Sequence, residues 1–261
     1  MVLSIERFVG KVAVVTGASS GIGAGIVEAL VSNGLIVAGL GRRVEAIESL
    51  AQKLAGSKGK LIAFKCDMTK EDEIVSTLQQ IISKLGPISV LINNAGLSRT
   101  GSLINGDPKS WKTVLETNVL GLCIATKQAI QNMIANQTLG HIIHINSVVG
   151  HTVMNIPGFD MYGPSKYAVT ALAETLRLEI NREKLQIKIT SVSPGYVKTN
   201  FEFPINVDNM LGLESEDVAD AVIYALSTPP HVNTMLIGTA PATSARKLWG
   251  SKAYILQYNV K

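Results

Sequence analysis

Residues 11–40 read KVAVVTGASSGIGAGIVEALVSNGLIVAGL. A short β-branched run stops at a glycine turn, a longer apolar stretch runs to Gly34, and a second short apolar run follows. Glycine just past a helix end is the residue that accepts the left-handed C′ conformation, so the middle stretch reads as a helix closed by Gly34. The rhythm repeats to the end of the chain. Strands are expected at 11–16, 35–40, 60–67, 89–96, 140–147, 186–195 and 233–238, and helices at 21–34, 43–55, 70–86, about 110–135, 161–182 and 215–228, the last with Ser215 as its N-cap. Strands joined through helices pair in parallel by right-handed crossovers. Such strands are buried on both faces, which suits 46% hydrophobic against 17% charged residues. No linker or low-complexity tract interrupts the 261 residues, so the expectation is one α/β domain over 1–261, a doubly wound, mostly parallel seven-stranded sheet with helices on both faces.

Composition narrows the partners. The formal net charge is +4 with lysines and arginines scattered, which reads as a solvated surface rather than a nucleic-acid patch. No apolar run approaches the roughly 18 residues of a membrane span, and the N-terminal MVLSIERFVGK has no secretory layout. Cys66 and Cys123 stand in unrelated apolar settings, so a reducing, cytoplasmic location without disulfides is expected. The four histidines lack ligand spacing, and His141 and His144 would lie on opposite faces of a strand, so no metal site is expected.

The first strand-to-helix turn, TGASSGIG, carries Gly17, Ser19, Ser20, Gly21, Ile22 and Gly23. Its glycines allow a tight turn and a close approach to a diphosphate, and the helix start aims free N–H groups at the anion, as in a Rossmann-type site. At the end of the second strand, where an NAD site usually places an acid, the chain reads GLGRR. The Arg42 and Arg43 guanidinium groups suit a 2′-phosphate, so NADP(H) is expected over NAD(H). Asp67 and Met68 close the third strand, where Asp67 would accept from the adenine amino group. Asn94, Ala95 and Gly96, within NNAG, close the fourth; these amides would cap a turn, line the cofactor crevice, or both.

The stretch DMYGPSKYAV places Tyr162 four positions before Lys166, on one helix face. A free phenol titrates near about 10 and a lysine near about 10.4. A protonated lysine beside the phenol, and a cationic nicotinamide ring nearby, would favour the phenolate and turn Tyr162 into an acid/base for neutral pH. Ser147, at the end of HIIHINS, would hold a substrate oxygen, and Asn118, a polar amide inside a long helix, would hold a water linking the lysine to solvent.

These motifs, with PGYVKT at 194–199, resemble the classical short-chain dehydrogenases/reductases over about residues 7–238. The resemblance implies hydride transfer between NADP(H) and an alcohol/carbonyl pair. It implies Tyr162 as acid/base, Ser147 as substrate positioner, Lys166 as the residue that tunes the phenol and binds the nicotinamide ribose, and Asn118 as water holder. It also implies that Pro194, Gly195, Val197 and Thr199 border the nicotinamide. More narrowly, GRRVEAIESLAQKL, INNAGL and ALSTPPHV are similar to the farnesol dehydrogenase-like and dehydrogenase/reductase member 11-like branch, which implies prenyl alcohols, steroids or other apolar carbonyls as substrates. Two departures stand out. Ser147 and Tyr162 are fifteen apart, two more than the commonest family spacing, and TAPATSARKLWGSKAYILQYNVK extends the C-terminus at 239–261.

The segment at about 200–214 is too long for a minimal connection and reads as a substrate loop. Phe201 and Phe203 in it, with Val149 and Phe159 from the loop after Ser147, would give an apolar mouth around Ser147 and Tyr162. That mouth suits a terpenoid, retinoid or steroid better than a sugar, and the resemblance implies a prenyl alcohol such as farnesol as the favoured one, with retinol or a hydroxysteroid as alternatives. A catalytically silent NADPH-binding sensor on the same fold is the reading of another class. The helices at about 110–135 and 161–182 would join copies into a homodimer or homotetramer, as in the resembling family.

Overall fold

The computed structural model describes residues 3–207, 210–232, 234 and 236–239. Seven strands form one parallel sheet: β1 (Val12–Thr16), β2 (Ile36–Gly41), β3 (Lys60–Lys65), β4 (Ile88–Asn93), β5 (Gly140–Ile145), β6 (Ile187–Pro194) and β7 (Leu236–Thr239), in the order β3-β2-β1-β4-β5-β6-β7. The order reverses between β1 and β4, and in an open α/β sheet a ligand crevice opens at the carboxyl ends on that line.

Strand alternation sorts side chains into two cores. Ala13 and Val15 of β1 face one side, packing with Ile26, Val27 and Leu30 of α1 (Gly21–Ser32), Ile47 of α2 (Val44–Lys53) and Val218 and Val222 of α7 (Ser215–Ser227). Val12 and Val14 face the other side, with Ile74 and Leu78 of α3 (Glu71–Leu85), Ala125 and Ala129 of α5 (Leu122–Ala135) and Ala173 of α6 (Tyr162–Arg182). Strands buried on both faces explain the near-continuous apolar runs read from the sequence.

Gly34 has φ +90°, the C′ conformation expected after α1. Helix α7 differs from expectation at its start. Ser215 is its first residue, and Glu214 is the N-cap in a reciprocal capping box with Asp217. The helix expected at about 110–135 begins as α4 (Pro108–Leu115), widens to a π-helix over Glu116–Gly121, and continues as α5. Such widened turns concentrate at functional sites. β7 opens at Leu236, and the C-terminal extension from residue 240 lies outside the described residues.

Candidate active site

A cavity of about 770 Å³ runs along the carboxyl ends of the strands. It opens at the glycine-rich turn and ends at Tyr162.

At the first end, Gly17 has φ +69° and Gly21 φ +55°. A Cβ at Gly17 would stand 2.9 Å from the Ala95 Cα, and one at Gly21 would stand 3.0 Å from the Thr199 methyl. Gly23 packs against the Gly17 carbonyl oxygen and the Asn94 amide, leaving no room for a side chain. The N-cap of α1, Ser20, makes no side-chain cap, so the first N–H groups of the helix are left for a ligand anion. The Ser20 hydroxyl accepts instead from Arg43 Nη2 at 2.7 Å, and Ser19 accepts from the same nitrogen at 3.2 Å. Arg42 and Arg43 are exposed on the cavity rim beside Gly41. Asp67 Oδ1 accepts from Thr69 N at 3.0 Å and Thr69 Oγ1 at 2.9 Å, which fixes the turn that carries Met68 into the cavity wall. This donor set fits a dinucleotide with an added phosphate.

Thr16, at the tip of β1, joins the first and fourth turns. Its hydroxyl accepts from Asn94 N at 3.0 Å and Ala95 N at 2.9 Å. Asn94 Nδ2 donates back to Thr16 O at 2.9 Å and Gly17 O at 3.2 Å. The Asn94 amide is therefore a structural clamp, while Asn94, Ala95 and Gly96 also line the cavity.

At the other end, Ser147 leaves β5 in extended conformation and its hydroxyl hydrogen-bonds the Tyr162 phenol. Lys166 lies one turn further along α6, with Nζ 5.7 Å from the Tyr162 ring centroid. Both groups are buried, and burial decides their acidity. It pushes the Tyr162 phenol up to about 12, with the Ser147 bond pulling the other way, and it pushes Lys166 down to about 8. The expectation that lysine lowers the phenol is thus not met by the chain's own groups. The Lys166 ammonium donates to the Ile145 carbonyl oxygen at 3.0 Å, and desolvation of the phenolate outweighs its charge.

Asn118 departs furthest from its expected place. Every other residue expected at the site lines the cavity: Pro194, Gly195, Val197 and Thr199, Val149 and Phe159, and Phe201 and Phe203 among them. Asn118 lies behind the wall, in the π-helical turn. Its Oδ1 accepts from Leu97 N at 2.9 Å, and its Nδ2 donates to Leu97 O at 2.9 Å and Ser165 Oγ at 3.0 Å. The amide ties the segment after β4 to α6. Its oxygen still borders the gap at Gly96, where an added Cβ would stand 3.5 Å from Asn118 Oδ1 and 3.7 Å from Lys166 Nζ.

Aromatic rings enclose the phenol. Tyr162 meets Phe159 at 5.0 Å and Phe201 at 5.3 Å between centroids, and Phe203 stands 5.6 Å from Phe159 and 5.5 Å from Phe201. Tyr196, which sequence reasoning missed, adds an edge contact to Phe203 at 5.3 Å. At the mouth, Arg99 and Glu202 form an ion pair at 3.0 Å across the cavity; both were missed, and no local spacing marks residues 103 apart. His141 and His144 point to opposite faces as expected and are held neutral by burial, His144 pushed down to about 4. They bond Thr190 and Asn93 respectively.

Comparison with known proteins agrees with this geometry. The sequence profile of the short chain dehydrogenases matches residues 11–209. Farnesol dehydrogenase of Aedes aegypti is 47% identical over 232 residues, covering 87% of this chain and 94% of that protein. Dehydrogenase/reductase SDR family member 11 of Gallus gallus is 44% identical over 241 residues, with the same shares. An alcohol dehydrogenase from the archaeon Thermococcus sibiricus, complexed with 5-hydroxy-NADP, superposes with a TM-score of 0.79 at 26% identity, covering 88% of this chain and 95% of that one. A metagenomic short-chain oxidoreductase in complex with NADP gives 0.78 at 26% identity, covering 90% and 98%. By profile, by relatives and by a sheet that carries its site at the β1/β4 reversal, the chain belongs to the short-chain dehydrogenase family of oxidoreductases.

Proposed function

We propose that this chain is an NADP(H)-dependent oxidoreductase acting on an apolar alcohol/carbonyl pair, with a prenyl alcohol such as farnesol as the favoured substrate. One observation carries the reading: a Ser147-bonded phenol stands inside a cage of Phe159, Phe201 and Phe203, at the far end of a cavity that begins under Arg42 and Arg43. Support for the cofactor also comes from the two NADP-type complexes among the similar structures, and for the substrate from the farnesol dehydrogenase relative.

The bound nicotinamide supplies the hydride acceptor in the oxidation direction. Arg42 and Arg43 would hold the 2′-phosphate, and the free N–H groups of α1 would hold the diphosphate. Ser147 holds the alcohol oxygen. As the carbinol carbon loses hydride, the hydroxyl proton passes to Tyr162 Oη, which takes it as the phenolate; beside a bound cationic nicotinamide ring the phenol would give up its own proton, which burial alone holds in place. Lys166, within reach of the Gly96 gap and charged below about pH 8, releases one of its own protons toward solvent as it takes the one leaving Tyr162, with a water beside Asn118 Oδ1 as the next station. The aromatic cage removes water from this exchange and grips an apolar tail. Exposed Leu115, Leu120 and Ile134 on the α4–α5 run, and Leu178 on α6, favour a homo-oligomer through these helices, which sedimentation tests.

The test is cofactor reduction with farnesol, retinol and a hydroxysteroid, set against oxidation of NADPH by small polar ketones. Turnover of the apolar alcohols with NADP supports the reading. Good turnover of small polar ketones with none of farnesol-sized alcohols overturns the substrate class, and equal use of NAD and NADP at low concentration overturns the cofactor.

A further inference from the structure

Tyr162, Lys166 and Thr170 follow one another at i, i+4 and i+8 along one face of α6. The third member is a threonine whose hydroxyl is fully engaged. It accepts from Asn146 Nδ2 at 2.9 Å and donates to the Gly150 carbonyl oxygen at 2.9 Å. The Lys166 carbonyl oxygen stands at 3.3 Å as its alternative acceptor.

Asn146 and Gly150 flank the turn that carries Ser147. That turn is short: Ser147 leaves the sheet, and Val148–Gly150 form a single 3-10 turn. It lies directly on the helix, since a Cβ on Gly150 would stand 2.7 Å from the Lys166 carbonyl oxygen. The Ser147 hydroxyl accepts from Val149 N at 3.3 Å inside the same turn, so the register between Ser147 and Tyr162 depends on how this turn docks.

We infer that Thr170 is a positioning residue for the reaction, bracing the Asn146–Gly150 turn on α6 so that the Ser147 hydroxyl meets the Tyr162 phenol. Catalytic groups must be held within fractions of an ångström, and the groups that hold them need locked rotamers. A threonine hydroxyl that both accepts and donates, on a β-branched side chain stiff at χ1, meets that need. The inference rests on the proposed chemistry of Ser147 and Tyr162.

The test compares Thr170→Val, which keeps the shape and removes both bonds, with Thr170→Ser, which keeps the hydroxyl. The expected result for Thr170→Val is a kcat lower by about tenfold or more, with KM and the NADPH Kd within about twofold of wild type, and recovery of most of that kcat in Thr170→Ser. Its crystal structure should show Ser147 out of hydrogen-bond reach of Tyr162 Oη, a readout independent of which alcohol is the substrate. An unchanged Ser147–Tyr162 bond in that structure overturns the inference. So does wild-type kcat in Thr170→Val, an equal loss in Thr170→Ser, or a loss that appears equally in NADPH binding. If Thr170→Val does not fold, Asn146→Ala removes the other half of the brace, and an intact Ser147–Tyr162 bond there overturns it as well. Wild-type protein inert on every alcohol, with the bond broken in Thr170→Val, would sink the functional reading while leaving the brace standing.

Discussion

Lys166 stands beside Tyr162 but gives its proton bond elsewhere, donating to the Ile145 carbonyl oxygen at 3.0 Å while its Nζ lies 5.7 Å from the phenol ring centroid. A buried ammonium so placed is a cost to the fold and an asset to the site. Burial lowers its pKa from 10.5 to about 8. Below pH 8 the lysine is charged in both folded and unfolded chains, and the folded chain bears the desolvation. Between about 8 and 10.5 the folded lysine is neutral while the unfolded one still binds a proton, so this group's contribution to stability rises with pH across that window. Lys166→Met should therefore gain stability at pH 7, by about 1–2 kcal/mol once the Ile145 carbonyl has lost its donor, and the gain should fade by pH 10. Urea unfolding at several pH values checks this. The same variant should lose about a hundredfold or more in kcat.

Arg43 holds Ser19 and Ser20 while facing the cavity with Arg42. Charge-assisted hydrogen bonds contribute about 1.5–3 kcal/mol. Arg42→Asp should thus cut kcat/KM for NADP by about tenfold to a hundredfold and leave NAD unchanged or improved. Steady-state kinetics with both cofactors reads the ratio.

Gly23 and Gly163 form a matched pair. A Cβ at Gly23 collides with the Gly17 carbonyl and the Asn94 amide, whereas one at Gly163 meets nothing within 4 Å beyond its chain neighbours. Gly23→Ala should destabilise the protein by about 1–3 kcal/mol and abolish NADPH binding. Gly163→Ala, in the first turn of α6, gains helix propensity but sets a Cβ against the ring of Pro164, so the two effects offset and stability should stay within about 1 kcal/mol with NADPH binding retained. Thermal melts with and without NADPH separate the two.

Arg99 and Glu202 close the mouth with an exposed ion pair, 41% and 49% accessible at the side chains, so its stabilisation is small, about 0–1 kcal/mol. Arg99→Ala should leave the melting temperature within about 2 °C and change KM for a bulky alcohol by at most about fivefold. Added salt should move wild type toward the variant.

The sequence made local chemistry legible and left long-range contacts hidden. The glycine turn, the Arg42–Arg43 pair and the Tyr162–Lys166 spacing each lie within a few residues, where backbone geometry fixes what the side chains face. Asn118 was legible as a polar intrusion in a helix, but its partners Leu97 and Ser165 are 21 and 47 positions away, so its clamp was not. Thr16 reads as a strand residue until β4 comes alongside and places Asn94 and Ala95 on its hydroxyl. The start of α7 went to Glu214 because a reciprocal Glu–Asp box satisfies two backbone donors, against the single one that Ser215 would have met. The sequence sets the acidity of Tyr162 by its lysine neighbour and a nearby nicotinamide ring; among the chain's own groups, burial by Phe159 and Phe201, from two separate loops, reverses the sign.

The most direct test of the account is NADPH formation from farnesol by wild type beside Tyr162→Phe, with NADPH binding to each measured by fluorescence. The account predicts turnover in wild type, a loss of about a thousandfold or more in the variant, and equal NADPH affinity in both. A variant as active as wild type would contradict the role of the Tyr162 phenol, and a wild type that binds NADPH tightly yet oxidises none of the three alcohols would contradict the proposed reaction.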